Sequence, residues 1–211
     1  MDFSLSMEQE ILRNSVRDFA ENEIKPVAGE LDEKETFSYE TMKKMAELGL
    51  FGMFVSEKYG GQGMDYVSYI IATEEIARID GSHAATVAAG NALGIGPLYY
   101  FGNEDQKQRY LPKLCSGEAL WGFGLTEPDA GSDAANSKTT AVPDGDEWVI
   151  NGSKIFITNA STDITSGVTA LCRTGTREDG RPELSCIFIE TGTPGFETRE
   201  MHGKLMWRAS N

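Results

Sequence analysis

The strongest constraint on the fold is a change in the spacing of apolar residues near the middle of the chain. In the first half, apolar residues recur every three or four positions, as in Leu12, Val16 and Phe19, which is the period of a helix with one apolar face. In the second half, short runs alternate between apolar and polar residues and are separated by turn sequences. The sequence therefore predicts an α+β fold: an all-helical bundle over residues 1–118, followed by a small antiparallel β-barrel or sandwich over residues 119–211.

Capping residues and glycines predict where the helices begin and end. Ser6 followed by Gln9 is a capping box for the first helix, and Pro26 would kink this helix or mark its last turn. The glycines of EKYGGQG, residues 57–63, predict a loop. The other four predicted helices run from Ser38 to about Gly49, from Asp65 to about Ile79, from Ser82 to about Phe101, and from Glu104 to Leu114.

Turn sequences divide the second half into predicted strands. The tetrapeptide DGDE, residues 144–147, and the pair Asn151-Gly152 are hairpin signals. The run GSKIFITNAS, residues 152–161, is expected to form a strand that is buried on both faces, with Phe156 in the core. Further strands are predicted for TALCRTG, ELSCIFIE and GFETREM, and their spacing suits an antiparallel sandwich or barrel.

Composition argues against several classes of function. The formal net charge of −14 disfavours a nucleic-acid partner, which needs a basic patch. No apolar run approaches the ~20 residues of a membrane helix, and the first residues lack the basic start of a signal peptide. Membrane insertion is therefore not expected. Cys115, Cys172 and Cys186 have no metal-ligand spacing and predict reduced thiols in a cytoplasmic protein without a metal site. For a eukaryotic source the expected location is the mitochondrial matrix, although the sequence shows no transit peptide.

The run FGLTEPDAGSD, residues 123–133, follows a predicted buried strand and has two interpretations. As a plain tight turn, it uses Pro128 to set one backbone angle and Gly131 to adopt a positive φ. As a binding loop, its successive N–H groups form a concave set of donors for an anionic or carbonyl oxygen, and Thr126 and Ser132 add hydroxyls. The residues alone leave both interpretations open.

Other candidate groups also have a plain structural interpretation. Thr158 is the polar exception in its apolar run, and its buried hydroxyl needs a partner in the backbone or in a ligand. Small residues between Asp80 and Gly96 predict either close helix packing or a slot for a ligand. We interpret His83 as structural, because no nucleophile motif accompanies it. A basic group is interpreted as solvated surface, or as a site for a phosphate or carboxylate: His202, Lys204 and Arg208.

Four segments, taken together, resemble the acyl-CoA dehydrogenase family. They occur in the family's order and spacing, and the amphipathic opening and the KYGGQG loop also match, so the resemblance covers essentially the whole chain. The family fold continues into a C-terminal helical domain that these residues do not include, and Asn211 is interpreted as a cut rather than a natural end. The segments are YFGNEDQKQRYLPKLCSGE (100–118), FGLTEPDAGSD (123–133), INGSKIFITNAS (150–161) and KLMWRASN (204–211).

The resemblance implies FAD as the cofactor. The Thr126 hydroxyl and neighbouring N–H groups would face the pyrimidine edge of the flavin, and the Thr158 hydroxyl would approach flavin N5. Two positions depart from the family pattern, since Phe156 stands where tryptophan is frequent and Met206 where glycine is usual. The implied cofactor-binding residues are Phe123, Leu125, Thr126, Gly131, Ser132, Phe156, Ile157 and Thr158.

The resemblance also implies an acyl-CoA substrate and a reaction of fatty acid metabolism, the α,β-dehydrogenation of the thioester. A carboxylate base would remove the α proton while the β hydrogen leaves as hydride to the flavin. In the family this base is a glutamate from the C-terminal half. No catalytic residue is therefore assigned here, and the chain alone is expected to be inactive and to bind FAD poorly. The implied substrate-binding residues are Thr86, Ala89, Gly90, Leu93 and Ser132.

By the same resemblance, electron-transferring flavoprotein is the expected electron acceptor and a homotetramer the expected assembly. Two alternatives stay open. One is an acyl-CoA oxidase on the same scaffold, and the other is a non-catalytic binding or assembly module. No residue of the sequence indicates which acyl group is bound.

Overall fold

The computed structural model describes residues 4–211, and its first half is helical, as predicted. None of the helices in this range is both long enough and apolar enough to cross a bilayer. The five predicted helices are all present, and two of them are each divided by a π-helical turn. The seven α-helices are α1 (Met7–Phe19), α2 (Lys25–Lys34), α3 (Tyr39–Glu47), α4 (Tyr66–Ala77), α5 (Gly81–Ala89), α6 (Gly96–Phe101) and α7 (Glu104–Cys115).

The two π-helical turns join consecutive helices without a loop. Ala20–Ile24 connects α1 to α2, and Gly90–Ile95 connects α5 to α6. Pro26 lies in the first turn of α2, directly after the π-helical turn, where its fixed φ is compatible with a helix start. Pro26 therefore begins a new helical segment instead of ending the first one.

Local capping explains most helix starts. The capping box of Ser6 and Gln9 is confirmed, and the side chains of Ser38 and Asp65 cap α3 and α4 as predicted. The prediction for the fourth helix was wrong by two residues. Its N-cap is Asp80, because the Asp80 carboxylate accepts the backbone N–H of His83 in the first turn of α5, and Ser82 lies inside that turn.

One apolar core joins the helices to the first strand, β1 (Leu120–Gly124). Met42, Phe51 and Leu98 are fully buried in it, and Trp121 extends the same core from the strand. Gly94 allows this close approach, since a Cβ atom there would lie 2.4 Å from the Trp121 carbonyl oxygen. Full burial of such side chains is worth about 1.5–3 kcal/mol each, so the packing fixes the strand on the helical half.

The second half forms one mixed, open five-stranded sheet. After β1, its strands are β2 (Thr140–Asp144), β3 (Glu147–Asn151), β4 (Thr165–Thr176) and β5 (Pro182–Glu190). β1 pairs with β4 in parallel, β4 pairs with β5 antiparallel, and β2 and β3 form an antiparallel hairpin. Thr140 and Arg173 join this hairpin to β4 by a short parallel contact.

The α+β class is confirmed, but the closed antiparallel arrangement is not observed. Turn sequences predict the hairpin at residues 144–147 correctly, because a tight turn forces its two strands to pair antiparallel. They say nothing about which distant strand becomes the neighbour of β1. The long connection from β1 to β4 permits parallel pairing, and this pairing depends on tertiary packing.

Two predicted strands are absent from the structure. The runs GSKIFITNAS (152–161) and GFETREM (195–201) contain no residue that belongs to a β-strand. The strand β3 ends at Asn151, just before the first run. In the first run, Phe156 and Asn159 adopt positive φ angles of 60° and 54°, which break the strand pleat. Phe156 is 67% exposed and does not lie in the core, contrary to prediction.

The last segment of the chain returns to the helical half. The Arg208 guanidinium donates to the backbone carbonyl of Asp32 at 2.9 Å and lies 2.9 Å from the Glu35 carboxylate. The backbone N–H of Gly203 also donates to Glu35 at 2.6 Å, and this hydrogen bond, together with Arg208, lowers the pKa of the Glu35 carboxyl. Part of the predicted basic group thus pairs with a carboxylate of the same chain.

Candidate active site

The end of β1 and the irregular segment 154–158 lie side by side. The backbone N–H of Ile155 donates to the carbonyl of Thr126 at 2.9 Å. Gly122 permits the approach, because a Cβ atom there would come 3.2 Å from Cγ2 of Ile157. The structure thus brings together the two threonine-bearing segments that the sequence analysis singled out.

Glu127 anchors the loop that follows β1. Its buried carboxylate lies 2.6 Å from the Lys154 ammonium and accepts backbone N–H groups of Lys138 and Thr139 at 2.6 and 3.0 Å. The Ser137 hydroxyl donates to it as well. Burial by itself would raise the pKa of the Glu127 carboxyl, but the hydrogen bonds from Lys154, Ser137 and Thr139 outweigh it and hold the pKa well below its usual value. The carboxylate is therefore ionised and fully occupied by its partners, which gives Glu127 a structural role.

Lys154 is the cation that joins the two segments, and the sequence analysis missed it. Its ammonium group donates to Glu127, to the Leu125 carbonyl at 3.2 Å and to the Ser137 hydroxyl at 3.1 Å. These three acceptors match its three donors. A signal was available, since Lys154 is the only Lys or Arg between Lys138 and Arg173.

The hydroxyls of Thr126 and Thr158 are free of partners. Both residues are half-buried, and neither hydroxyl forms a hydrogen bond to any part of residues 4–211. Exposed apolar side chains accompany them, namely Leu125 at 36% and Phe156 at 67% exposure. Phe123 and Ile157 are half-buried in the same two segments. Apolar surface beside unpaired hydroxyls suits a flat ligand with a polar edge.

The turn after Thr126 closes earlier than predicted. The backbone groups of Glu127 and Ala130 bond to each other, at 2.9 Å from the Glu127 N–H and 3.2 Å from the Ala130 N–H. The prediction of a positive φ at Gly131 was wrong, because the turn is already closed at Ala130. Gly131 and Ser132 are both exposed, and a Cβ atom at Gly131 would meet nothing within 4 Å.

The predicted substrate-binding residues of α5 and of the π-helical turn after it face two environments. The Thr86 hydroxyl donates to the Ser82 carbonyl at 3.1 Å and is buried, and a Cβ atom at Gly90 would lie 2.9 Å from the Phe51 ring. Thr86 and Gly90 are therefore used in internal packing. The accessible part of the predicted substrate stripe consists of half-buried Ala89 and exposed Leu93.

His83 has the structural environment expected of it. Its Nδ1 lies 2.6 Å from the Asp80 carboxylate, and its Nε2 lies 2.7 Å from the Thr41 hydroxyl. Both ring nitrogens are thus occupied in a buried contact between α5 and α3. In the part of the chain that the structure describes, no cluster of three or more His, Cys, Asp and Glu side chains is arranged to hold a metal ion.

Comparison with known proteins gives the family. A sequence model described as "Acyl-CoA dehydrogenase, N-terminal domain" matches residues 6–118, and one described as "Acyl-CoA dehydrogenase, middle domain" matches residues 122–210. The chain belongs to the acyl-CoA dehydrogenase family. The order of helices and sheet seen here is thus that of the family's first two domains.

Individual acyl-CoA dehydrogenase relatives agree over the full length of the chain. A protein of Bacillus subtilis named "Probable acyl-CoA dehydrogenase YngJ" is 48% identical over 211 residues, which is all of this chain and 55% of that protein. A glutaryl-CoA dehydrogenase of Mycobacterium smegmatis, solved in complex with FADH2, has a TM-score of 0.89 and 35% identity, covering 98% of this chain and 51% of that one. The chain spans about half the length of the curated relatives it matches.

A third likeness bears on electron transfer. A chain in a solved structure described as "Electron transferring flavoprotein of Acidaminococcus fermentans: Towards a mechanism of flavin-based electron bifurcation" has a TM-score of 0.91 and 36% identity. It matches all of this chain, which covers 55% of it.

Proposed function

We propose that this chain is part of an FAD-dependent enzyme that dehydrogenates an acyl-CoA thioester between its α and β carbons. Family membership supports the reaction class, and the relative solved with FADH2 supports the cofactor. We place the boundary between its two units at residues 118–119. The last helix ends at Cys115 and the first strand begins at Leu120, which supports this boundary.

The observation that carries the proposal is the pair of unpartnered hydroxyls at Thr126 and Thr158 on adjacent segments. A flavin ring has flat apolar faces and a polar edge that gains negative charge when the ring is reduced. The exposed faces of Leu125 and Phe156 fit the first property, and the two hydroxyls fit the second. The described residues therefore fit FAD.

In this arrangement each side chain has a defined task. When bound, FAD supplies the hydride acceptor for the reaction. Thr126 and Thr158 donate hydrogen bonds to its polar edge, and Leu125 and Phe156 exclude water from its face, which strengthens those hydrogen bonds. Lys154 holds the Leu125 carbonyl so that the donors keep their positions. The full set of proposed cofactor contacts is Phe123, Leu125, Thr126, Gly131, Ser132, Phe156, Ile157 and Thr158.

The proposed acyl-CoA contacts lie at the end of α5, on the π-helical turn that follows it and in the turn after β1. Ala89 and Leu93 face outward far enough to contact an acyl chain, and exposed Ser132 is available to the pantetheine. The family resemblance also implies Thr86 and Gly90 as substrate-binding residues. Both make internal contacts, so we propose that they act by fixing the position of the helix that carries the accessible residues. We assign no base among the described residues, because the family's base comes from the C-terminal half and the Glu127 carboxylate is fully occupied by its own partners.

The remaining parts of the proposal concern partners and location. We propose electron-transferring flavoprotein as the electron acceptor, supported by the likeness to a chain from the Acidaminococcus fermentans structure. We propose a homotetramer on the basis of the family resemblance. Three free cysteines, Cys115, Cys172 and Cys186, support a reducing, cytoplasmic location.

The direct test uses the protein at its natural length and measures bound FAD and turnover against a panel of acyl-CoA thioesters with a dye acceptor. Thr158→Val removes one hydroxyl while keeping the shape of the side chain, and we expect a loss of about 100-fold in kcat/KM, the lower end of what one oxyanion-type donor is worth. Thr198→Val, which removes an exposed hydroxyl outside both segments, is the matched control. Equal turnover in both variants, or wild-type protein without flavin, would refute the proposal.

A further inference from the structure

Asn159 connects the threonine-bearing segment 154–158 to the helical half. Its side-chain amide donates to the Thr86 hydroxyl at 3.0 Å, and its side-chain oxygen accepts from the Ser210 hydroxyl at 3.3 Å and from the Asn211 N–H at 3.1 Å. The residue is 5% exposed, so these partners replace water.

The Asn159 backbone is equally occupied. Its N–H donates to the Asn211 carbonyl at 2.6 Å, and its carbonyl accepts from the Thr165 hydroxyl at 2.6 Å. Every polar group of Asn159 therefore has a partner. These partners lie on α5, at the start of β4 and in the last residues of the chain.

Asn159 also fixes an uncommon backbone shape. Its φ of 54° and the φ of 60° at Phe156 bracket Ile157 and Thr158. Left-handed angles outside glycine are energetically unfavourable and persist where surrounding contacts over-determine them. Asparagine is among the residues that tolerate this angle best. The hydrogen bonds of Asn159 supply the contacts that hold this segment in place.

We propose that Asn159 is a positioning residue, which holds Phe156 and Thr158 at the ligand face by tying their segment to α5 and to residues 210–211. This inference rests on the proposed function, because it assigns the positioned groups to FAD. The Thr86 hydroxyl takes part as the acceptor on α5. The buried Thr86 therefore acts through Asn159 on the cofactor face and needs no contact with substrate.

A matched control exists one helical turn away from Thr86. Asn91 is also buried, and its side chain also makes three hydrogen bonds, to the Met53 N–H and to the carbonyls of Leu50 and Val87. It serves the helical core instead of the two threonine-bearing segments. Replacing either asparagine removes a similar number of buried hydrogen bonds. Only replacement of Asn159 releases the segment that carries Phe156 and Thr158.

The experiment titrates flavin-free protein of natural length with FAD and measures urea unfolding in parallel. Asn159→Gly removes the amide while still permitting the left-handed angle, so its loss of binding reports the hydrogen bonds and not new strain. We expect it to weaken FAD binding by at least about tenfold. We expect Asn91→Ala to lower stability but to bind FAD within about twofold of wild type, since a tenfold change would need a further 1.4 kcal/mol at the site.

Three results separate the possibilities. If both variants lose FAD affinity in proportion to stability, or if Asn159→Gly binds as wild type does, Asn159 has no positioning role. If Asn159→Gly does not fold, Thr86→Val replaces it, because this variant keeps the side-chain shape and removes the hydroxyl that accepts from the Asn159 amide. Failure of wild-type protein to bind FAD would contradict the proposed function itself and would be visible before any variant is compared.

Discussion

The ammonium group of Lys154 lies 2.6 Å from the carboxylate of Glu127, and the two side chains are only 11% and 4% exposed. The pair joins the segment after β3 to the loop after β1. Because Lys154 also holds the Leu125 carbonyl, the ion pair sets the backbone beside the Thr126 hydroxyl.

Breaking this pair from one side should be costly. In Lys154→Met, the Glu127 carboxylate stays buried without its cation, and we expect a loss of about 3–5 kcal/mol in the free energy of unfolding. Urea unfolding measures this loss. Lys34→Met, which breaks the exposed pair with Glu30, is the control and should leave the midpoint unchanged. Equal shifts in the two variants would contradict the buried pair.

The same pair predicts a pH dependence. The folded-state pKa of Glu127 is below the reference value of 4.5, so the unfolded chain binds this proton first as the pH falls. The stabilisation from Glu127 is therefore complete well above pH 4.5 and is lost progressively below it. We expect the stability difference between wild type and Glu127→Gln to shrink as the pH falls below this value. A difference that is constant down to acid pH would show that Glu127 is not ionised in the folded protein.

Two glycines in helical segments should respond oppositely to alanine. Gly94→Ala places a Cβ atom 2.4 Å from the Trp121 carbonyl oxygen and should destabilise the protein by about 1–3 kcal/mol. Gly29, in α2, has nothing within 4 Å of an added Cβ atom, so Gly29→Ala should stabilise by about 0.5–1 kcal/mol through helix propensity. Thermal unfolding of both variants measures these changes. A Gly94→Ala variant as stable as wild type would contradict the close contact between Gly94 and Trp121.

The three thiols should differ in reactivity. Burial raises the pKa of Cys115 to about 12 and that of Cys172 to about 11, whereas Cys186 is exposed on β5. An aromatic disulfide reagent at about pH 8 should therefore label Cys186 first and the other two only after unfolding. Mass spectrometry of the labelled peptides identifies the site. Rapid labelling of Cys115 would contradict its place in the helical core.

Local rules predicted much of the fold. The capping box at Ser6, the caps at Ser38 and Asp65, and the hairpin at residues 144–147 depend on neighbours within a few positions. Such signals are written directly in the sequence. The parallel pairing of β1 with β4 was missed because it depends on packing between distant segments.

The family resemblance predicted which residues form the candidate site. It did not predict the residues that hold those segments in place. The apolar run around Phe156 suggested a strand, and only the positive φ angles at Phe156 and Asn159 show why it is a loop. Lys154 and Asn159 were missed because their partners, Glu127 and Thr86, lie 27 and 73 positions away in the sequence. Periodicity carries no information on contacts of that range.

The most direct test is a crystal structure of the natural-length protein with FAD bound. We predict that the flavin ring lies against Leu125 and Phe156, with its polar edge within hydrogen-bonding distance of the hydroxyls of Thr126 and Thr158. Electron density that places the ring elsewhere, with both hydroxyls still unpaired, would contradict the account.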